Sequence, residues 1–169
     1  MPNSHNLAAH MSTDENNDEN FDFDTNAIHS GTQHIEGAVN TPVFLSSTYQ
    51  LNQERYDGWA NGAQHTLLYA RLSSVNSEAV AKKICVLEGA EDGEIFSSGM
   101  SAISTVLLGL LSKGDHVVAN PDVYGGTYGL LTEDLPRFGI EVSMADIRDV
   151  TLYEAAITPN TKMLYIETL

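Results

Sequence analysis

The stretch Ser98-Gly-Met-Ser-Ala-Ile-Ser-Thr-Val-Leu-Leu-Gly-Leu-Leu-Ser-Lys-Gly-Asp-His-Val-Val-Ala-Asn-Pro121 decides the fold. Ile103, Val106, Leu107 and Leu110 recur at helical spacing, so a helix is expected from Gly99 to Leu111. Ser112-Lys-Gly-Asp115 ends it. His116-Val-Val-Ala119 is then a short strand rich in β-branched residues, and Asn120-Pro-Asp122 turns the chain. Toward the carboxyl end the same alternation continues. A weaker helix reaches about Phe138, interrupted near Pro136, and Glu141–Met144 reads as a strand. Leu152–Ile157 follows as a short helix, and Lys162–Ile166 as a strand. Toward the amino end, Asn76 or Ser77 caps a helix whose Val80, Ile84 and Leu87 share a face and which Gly89 stops. Glu94-Ile-Phe96 reads as one more short strand. This alternation implies βαβ units, hence an α/β fold with a mostly parallel sheet and helices on both faces. Leu169 comes three residues after a strongly apolar strand, so the sheet reads as cut off partway.

Composition narrows the function. The 169 residues are 42% apolar and carry 8 Lys+Arg against 23 Asp+Glu, a net charge of −15. Such a surface disfavours nucleic acid and anionic membranes as partners. No apolar run is long enough to span a bilayer, and no Lys or Arg precedes Arg55, so neither a membrane span nor a secretory signal is expected. A single cysteine, Cys85, can form no internal disulfide and reads as a buried thiol in a cytoplasmic protein. The scattered histidines form no cluster of metal-ligand spacing, so no metal site is expected.

The chain divides into three parts. Residues 1–24 form an acidic, disordered tail: Ser12–Asp24 holds six acids, and taking those from −15 leaves −9 on the rest. Residues 25–75 lack periodicity and read as an extended arm, either lying across another subunit or forming functional loops. Residues 76–169 form the regular α/β part.

Ligands of open parallel sheets bind beyond the carboxyl ends of the strands. Ser97-Ser-Gly-Met100 precedes a helix there. It is either an anion site, with Gly99 admitting a phosphate to the backbone and Ser98 adding a hydroxyl, or a plain cap on a tight turn. Tyr124, before two glycines, either stacks on a flat ligand or packs against its own loop. Glu167 ends the last strand, meeting either a ligand or solvent. Tyr69 and Arg71 share a side if extended, where Arg71 is a phosphate clamp or a solvated cation. Lys82 and Lys83 read as a solvated helix edge. No GxGxxG or Walker lysine motif is present.

Taken in order, these segments resemble the Cys/Met-metabolism family of pyridoxal-phosphate enzymes, which includes cystathionine γ-synthase, cystathionine γ-lyase, O-acetylhomoserine sulfhydrylase and methionine γ-lyase. The resemblance is carried by Ile28-His-Ser-Gly31, Thr41-Pro-Val-Phe44, Ser47-Thr-Tyr49, Tyr69-Ala-Arg71 and Leu87-Glu-Gly89. It continues through Phe96-Ser-Ser-Gly-Met100, Lys113-Gly-Asp115, Tyr124-Gly-Gly-Thr-Tyr128 and Pro159-Asn-Thr-Lys162, with Glu167 beginning a further family element. The family pattern usually reads Asn-Pro-Thr where this chain has Ser74-Val-Asn76.

The resemblance implies a front portion, roughly two-fifths, of a fold type I enzyme with pyridoxal 5′-phosphate as cofactor. The amides matching Gly99 and Met100, with Ser98, would hold the phosphate. Tyr69 and Arg71 would reach the same phosphate from a neighbouring subunit. Tyr124 would stack on the pyridine ring and handle a proton at the substrate. It also implies an amino-acid substrate, a homotetramer built from dimers, and elimination or replacement at the γ-position. Gly126, where methionine γ-lyases usually carry Cys, leans the expectation toward cystathionine or O-acylhomoserine chemistry. The Schiff-base lysine of the family falls outside this chain. Lys162 begins the strand that Glu167 follows, roughly 17 Å away at about 3.3 Å per residue, and Lys113 also feeds a strand start. The expected alternative is therefore a catalytically inactive, truncated homologue that associates with an intact enzyme.

Overall fold

A computed structural model describes residues 21–62 and 66–168. The acidic tail up to residue 20 lies outside the described residues. The chain forms two compact units, one ending at Ile95 and the other starting at Phe96.

In the first unit, helix α1 (Phe23–His29) starts on Asp22, whose carboxylate accepts the Thr25 amide at 2.9 Å. A helix thus begins inside the last residues of the acidic segment. A 3₁₀ turn (Ile35–Gly37), α2 (Gln53–Ala60) and α3 (Val75–Glu88) follow. The cap of α3 is Ser74, which forms a reciprocal box with Ser77, and not Asn76 or Ser77 as expected. Asn76 is used elsewhere: it donates to the Pro42 carbonyl (2.9 Å) and accepts from the Phe44 amide (2.8 Å), tying the arm to the start of α3. Gly89 ends α3 in the left-handed conformation, as its position predicts.

Helix α1 is seated on α3 through backbone proximity. Gly31 has φ +71°, and a Cβ there would stand 2.2 Å from the Ala79 carbonyl oxygen. Lys83 donates to the Ala27 and Ile28 carbonyls at 3.1 and 2.9 Å, so it caps the carboxyl end of α1 and is not part of a solvated edge. Cys85 is half-buried, not buried. The expected strand at Glu94–Phe96 is absent. Local side chains satisfy this backbone instead: Asp92 accepts the Gly93 amide and Glu94 accepts the Ile95 amide.

The second unit is a three-layer sandwich. Helix α4 (Gly99–Leu110) leads to β1 (His116–Ala119). A helical run comprises α5 (Gly125–Gly129), a π-helical turn (Leu130–Asp134) and α6 (Leu135–Arg137). It is followed by β2 (Glu141–Met144), α7 (Val150–Ala156) and β3 (Thr161–Tyr165). The strands are all parallel, in the order β2-β1-β3. Pro136 lacks an N–H and would press on the carbonyl four residues back. The wider π turn before it accounts for the interruption read from sequence.

Alternation along β1 sends its side chains to opposite layers. Val117 and Ala119 join Leu107, Leu111, Leu131 and Leu135 on one face, while Val118 meets Ala145 and Tyr153 of the α7 side on the other. His116, buried at the start of β1, links all three strands: Nδ1 lies 2.7 Å from Thr161 Oγ1 and Nε2 lies 2.9 Å from Ser143 Oγ. Residues past the strand ends are stitched by Asn120, whose side chain holds the main chain of Glu167 on both sides, at 3.0 and 3.2 Å. Among the described residues no helix is long and apolar enough to cross a membrane.

Candidate functional site

The site in the second unit is built from two helix starts and one strand end. At the start of α4, Ser98 accepts the Ser101 amide at 3.1 Å, and Ser101 Oγ accepts the Ser98 amide at the same distance. The box is a true cap, and among the first three amides of the helix it occupies only the third. The amides of Gly99 and Met100 stay at the open helix end. A Cβ at Gly99 would meet nothing within 4 Å, and the first turn of α4 carries no acidic residue. An anion can therefore approach the backbone along the positive end of the helix.

Tyr124 stands at the start of α5, 65% exposed, with one edge of its ring over Gly126 of its own loop. Its neighbourhood is shared with α4. A Cβ at Gly126 would lie 2.8 Å from the edge of the Tyr124 ring and 3.0 Å from Met100 Sδ. Buried Thr127 donates to the same sulfur at 3.8 Å. Ser98, Gly99, Met100 and Tyr124 are thus brought together at one edge, beside the carboxyl ends of β1 and β3.

Glu167, half-buried, is engaged by the protein's own groups. Its Oε1 accepts the Tyr124 amide at 2.8 Å and its Oε2 accepts the Tyr165 hydroxyl at 3.1 Å. Burial pushes the Tyr165 phenol up from its ordinary pKa, and the hydrogen bond to Glu167 adds to that. Asn120, Thr127 and Tyr165 are participants that sequence reasoning missed. The signal for Tyr165 was its two-residue spacing from Glu167, which puts both on one face of a strand.

Tyr69 and Arg71 belong to the first unit. Tyr69 pairs with Thr48 in an isolated antiparallel bridge, and the chain then turns, so the pair is not extended. The turn folds the Arg71 guanidinium over the Tyr69 ring, 5.3 Å from its centre, and leaves both side chains exposed. The lysines of the second unit, Lys113 and Lys162, both lie toward the strand starts, the edge opposite this site.

The small parallel α/β sheet is shared with pyridoxal-phosphate enzymes of fold type I. The family model described as Cys/Met metabolism PLP-dependent enzyme matches residues 24–169, and the chain belongs to that family. L-methionine γ-lyase of Porphyromonas gingivalis is 38% identical over 148 residues, 86% of this chain and 37% of that protein. The solved cystathionine γ-lyase of Lactobacillus plantarum, complexed with L-serine, superposes with a TM-score of 0.76 at 37% identity, over 88% of this chain and 37% of the other. A Campylobacter jejuni structure described as an O-acetylhomoserine (thiol)-lyase holds N′-pyridoxyl-lysine-5′-monophosphate. It matches with a TM-score of 0.79 at 31% identity, over 86% of this chain and 36% of its own. The chain spans a little over a third of the length of these relatives.

Pyridoxal phosphate is the cofactor of the family. The residues present fit its two recognisable parts. Open amides at Gly99 and Met100 suit a phosphate, and the exposed ring of Tyr124 suits a flat heterocycle.

Proposed function

We propose that this chain supplies the phosphate-binding and ring-stacking portion of an enzyme of sulfur amino-acid metabolism, acting by elimination or replacement on cystathionine or O-acylhomoserine type substrates. The observation that carries the reading is the open start of α4 beside Tyr124, joined through Met100 and Thr127. In this reading the amides of Gly99 and Met100, with the Ser98 hydroxyl, bind the phosphate dianion, and the dipole of α4 adds to the attraction. Tyr124 lies against the coenzyme ring, keeps water from that face and holds a proton near the substrate through its hydroxyl. Pyridoxal phosphate supplies an electron sink for charge developing on the substrate. Tyr69 and Arg71 reach the phosphate of a neighbouring subunit, with residues 25–75 as the crossing arm and residues 76–169 as the front of the coenzyme domain. A homotetramer of such dimers in the cytoplasm completes the proposal.

A second reading rests on the lysines. Lys113 and Lys162 stand toward the strand starts, so this chain by itself binds phosphate without holding the coenzyme aldehyde, and associates with an intact homologue. Borohydride treatment of the 169-residue chain with one equivalent of pyridoxal phosphate is then expected to label no single lysine stoichiometrically; stoichiometric labelling of one lysine would remove this second reading. The phosphate site is tested by Gly99→Asp, which has space for its side chain but sets a carboxylate at the open amides. Its dissociation constant for pyridoxal phosphate is expected to rise at least about tenfold, with Arg71→Ala raising it less. Unchanged binding in Gly99→Asp would refute the assignment of the site.

A further inference from the structure

Both oxygens of the Glu167 carboxylate are committed inside the protein, one to the Tyr124 amide and one to the Tyr165 hydroxyl. Its main chain is equally fixed. Asn120, 1% exposed, accepts from the Glu167 amide and donates to the Glu167 carbonyl. The carboxylate therefore cannot swing to a ligand without abandoning a charge-assisted bond to a helix start.

Two helix starts share this edge, and they are treated differently. At the start of α4 the cap amide of Ser98 is held by a neutral hydroxyl, whereas at the start of α5 the Tyr124 amide is held by the protein's own carboxylate. An incoming anion is thereby directed to α4 and repelled from α5. The same bond fixes where Tyr124 stands. Its main chain is held by Glu167, and the turn that follows is anchored one step further on by Thr127 against Met100. The ring then leans into the space that Gly126, lacking a Cβ, leaves beside Met100.

We propose that Glu167 is the positioning residue for Tyr124: its carboxylate clamps the Tyr124 amide so that the ring is presented to the coenzyme and the phosphate is sent to α4. This rests on the reading of Tyr124 as the stacking residue of the coenzyme site. Glu167 acts through Tyr124 and touches no reacting atom.

The test is amide hydrogen exchange at Tyr124 in the full chain without coenzyme, paired with the dissociation constant for pyridoxal phosphate. Glu167→Ala is expected to speed exchange at Tyr124 about tenfold, the worth of one charge-assisted bond, and to weaken coenzyme binding several-fold. Glu167→Gln keeps a carbonyl acceptor and is expected to restore most of both. Tyr165→Phe, which leaves the Glu167–Tyr124 bond intact, is expected to keep exchange within about threefold of the parent. Glu167→Met fills the same space without an acceptor and replaces the Ala variant if that fails to fold. Unchanged exchange in Glu167→Ala or Met would overturn the clamp. So would faster exchange with undiminished coenzyme binding. A parent protein that takes up no pyridoxal phosphate, with the exchange pattern as expected, would instead sink the proposed function and leave the grip of Glu167 on Tyr124 standing.

Discussion

The two units of this chain are held together by different physics. Beyond Phe96, a parallel strand buried along its whole length sends alternate side chains into two apolar layers, and Leu107, Val117, Leu131 and Leu135 are fully enclosed. Before Ile95, Val39, Val43 and Leu45 stand 78–93% exposed, and the arm is secured by individual polar contacts: Asn76 to Pro42 and Phe44, Lys83 to the end of α1. Burial is collective and roughly proportional to area, whereas a hydrogen bond contributes on the order of 1 kcal/mol and depends on its own geometry. A cooperative core and a set of separate ties should therefore fail in different ways.

The largest effect is expected in the core. Leu131→Ala empties a fully buried position packed between the helical run and the sheet, and should cost roughly 2–5 kcal/mol. A urea titration should show the second unit melting as one transition at a lower midpoint. If exchange-protected amides were lost only near Leu131, the collective account of this layer would be wrong. A smaller and more local effect is expected at Gly31. Its left-handed conformation and the 2.2 Å approach to the Ala79 carbonyl leave no room for a Cβ, so Gly31→Ala should cost roughly 1–3 kcal/mol. Exchange should quicken in α1 and along α3 while β1 keeps its protection. Equal loosening of β1 would erase the distinction between the units.

The same contrast explains what could be read from sequence. Strands β1 and β2 fall where β-branched and apolar runs place them, and α4 begins and ends within a residue of its periodic span, because burial imposes a period on residue type. Tyr124 was legible because a glycine-flanked aromatic follows a strand of the sheet, whereas Ser98, Gly99 and Met100 were read as following a strand at Glu94–Phe96 that does not form. The ties were not legible. Nothing periodic marks Lys83 as the cap of a helix more than fifty residues earlier, or Asn76 as an anchor for Pro42. At Glu94–Phe96 the residue types suit a strand, but among the described residues nothing pairs with it, and its neighbouring carboxylates take the amides instead. Glu167 shows the limit most clearly. Its position at a strand end was readable, but its partner, the backbone of Tyr124, offers no side-chain signal.

The smallest expected effect lies in a loop of the second unit that is built like the arm. Between β2 and α7, Asp146 accepts the Arg148 backbone amide at 2.9 Å and its guanidinium at 2.6–3.1 Å. These hydrogen bonds, side chain first and backbone second, bring the Asp146 carboxyl down from 3.8 to about 2. A carboxyl lowered on folding favours the folded chain above pH 3.8, and that contribution fades as pH falls toward 2. Arg148 is exposed and Asp146 partly so, and water and salt screen the pair. Arg148→Ala should return the Asp146 titration most of the way to 3.8 by carboxyl NMR, while the urea midpoint at neutral pH stays where it was. A midpoint that moved with the titration would mean the loop is coupled to the core, and the second unit would then owe its cooperativity to its polar ties as well as to its buried layers.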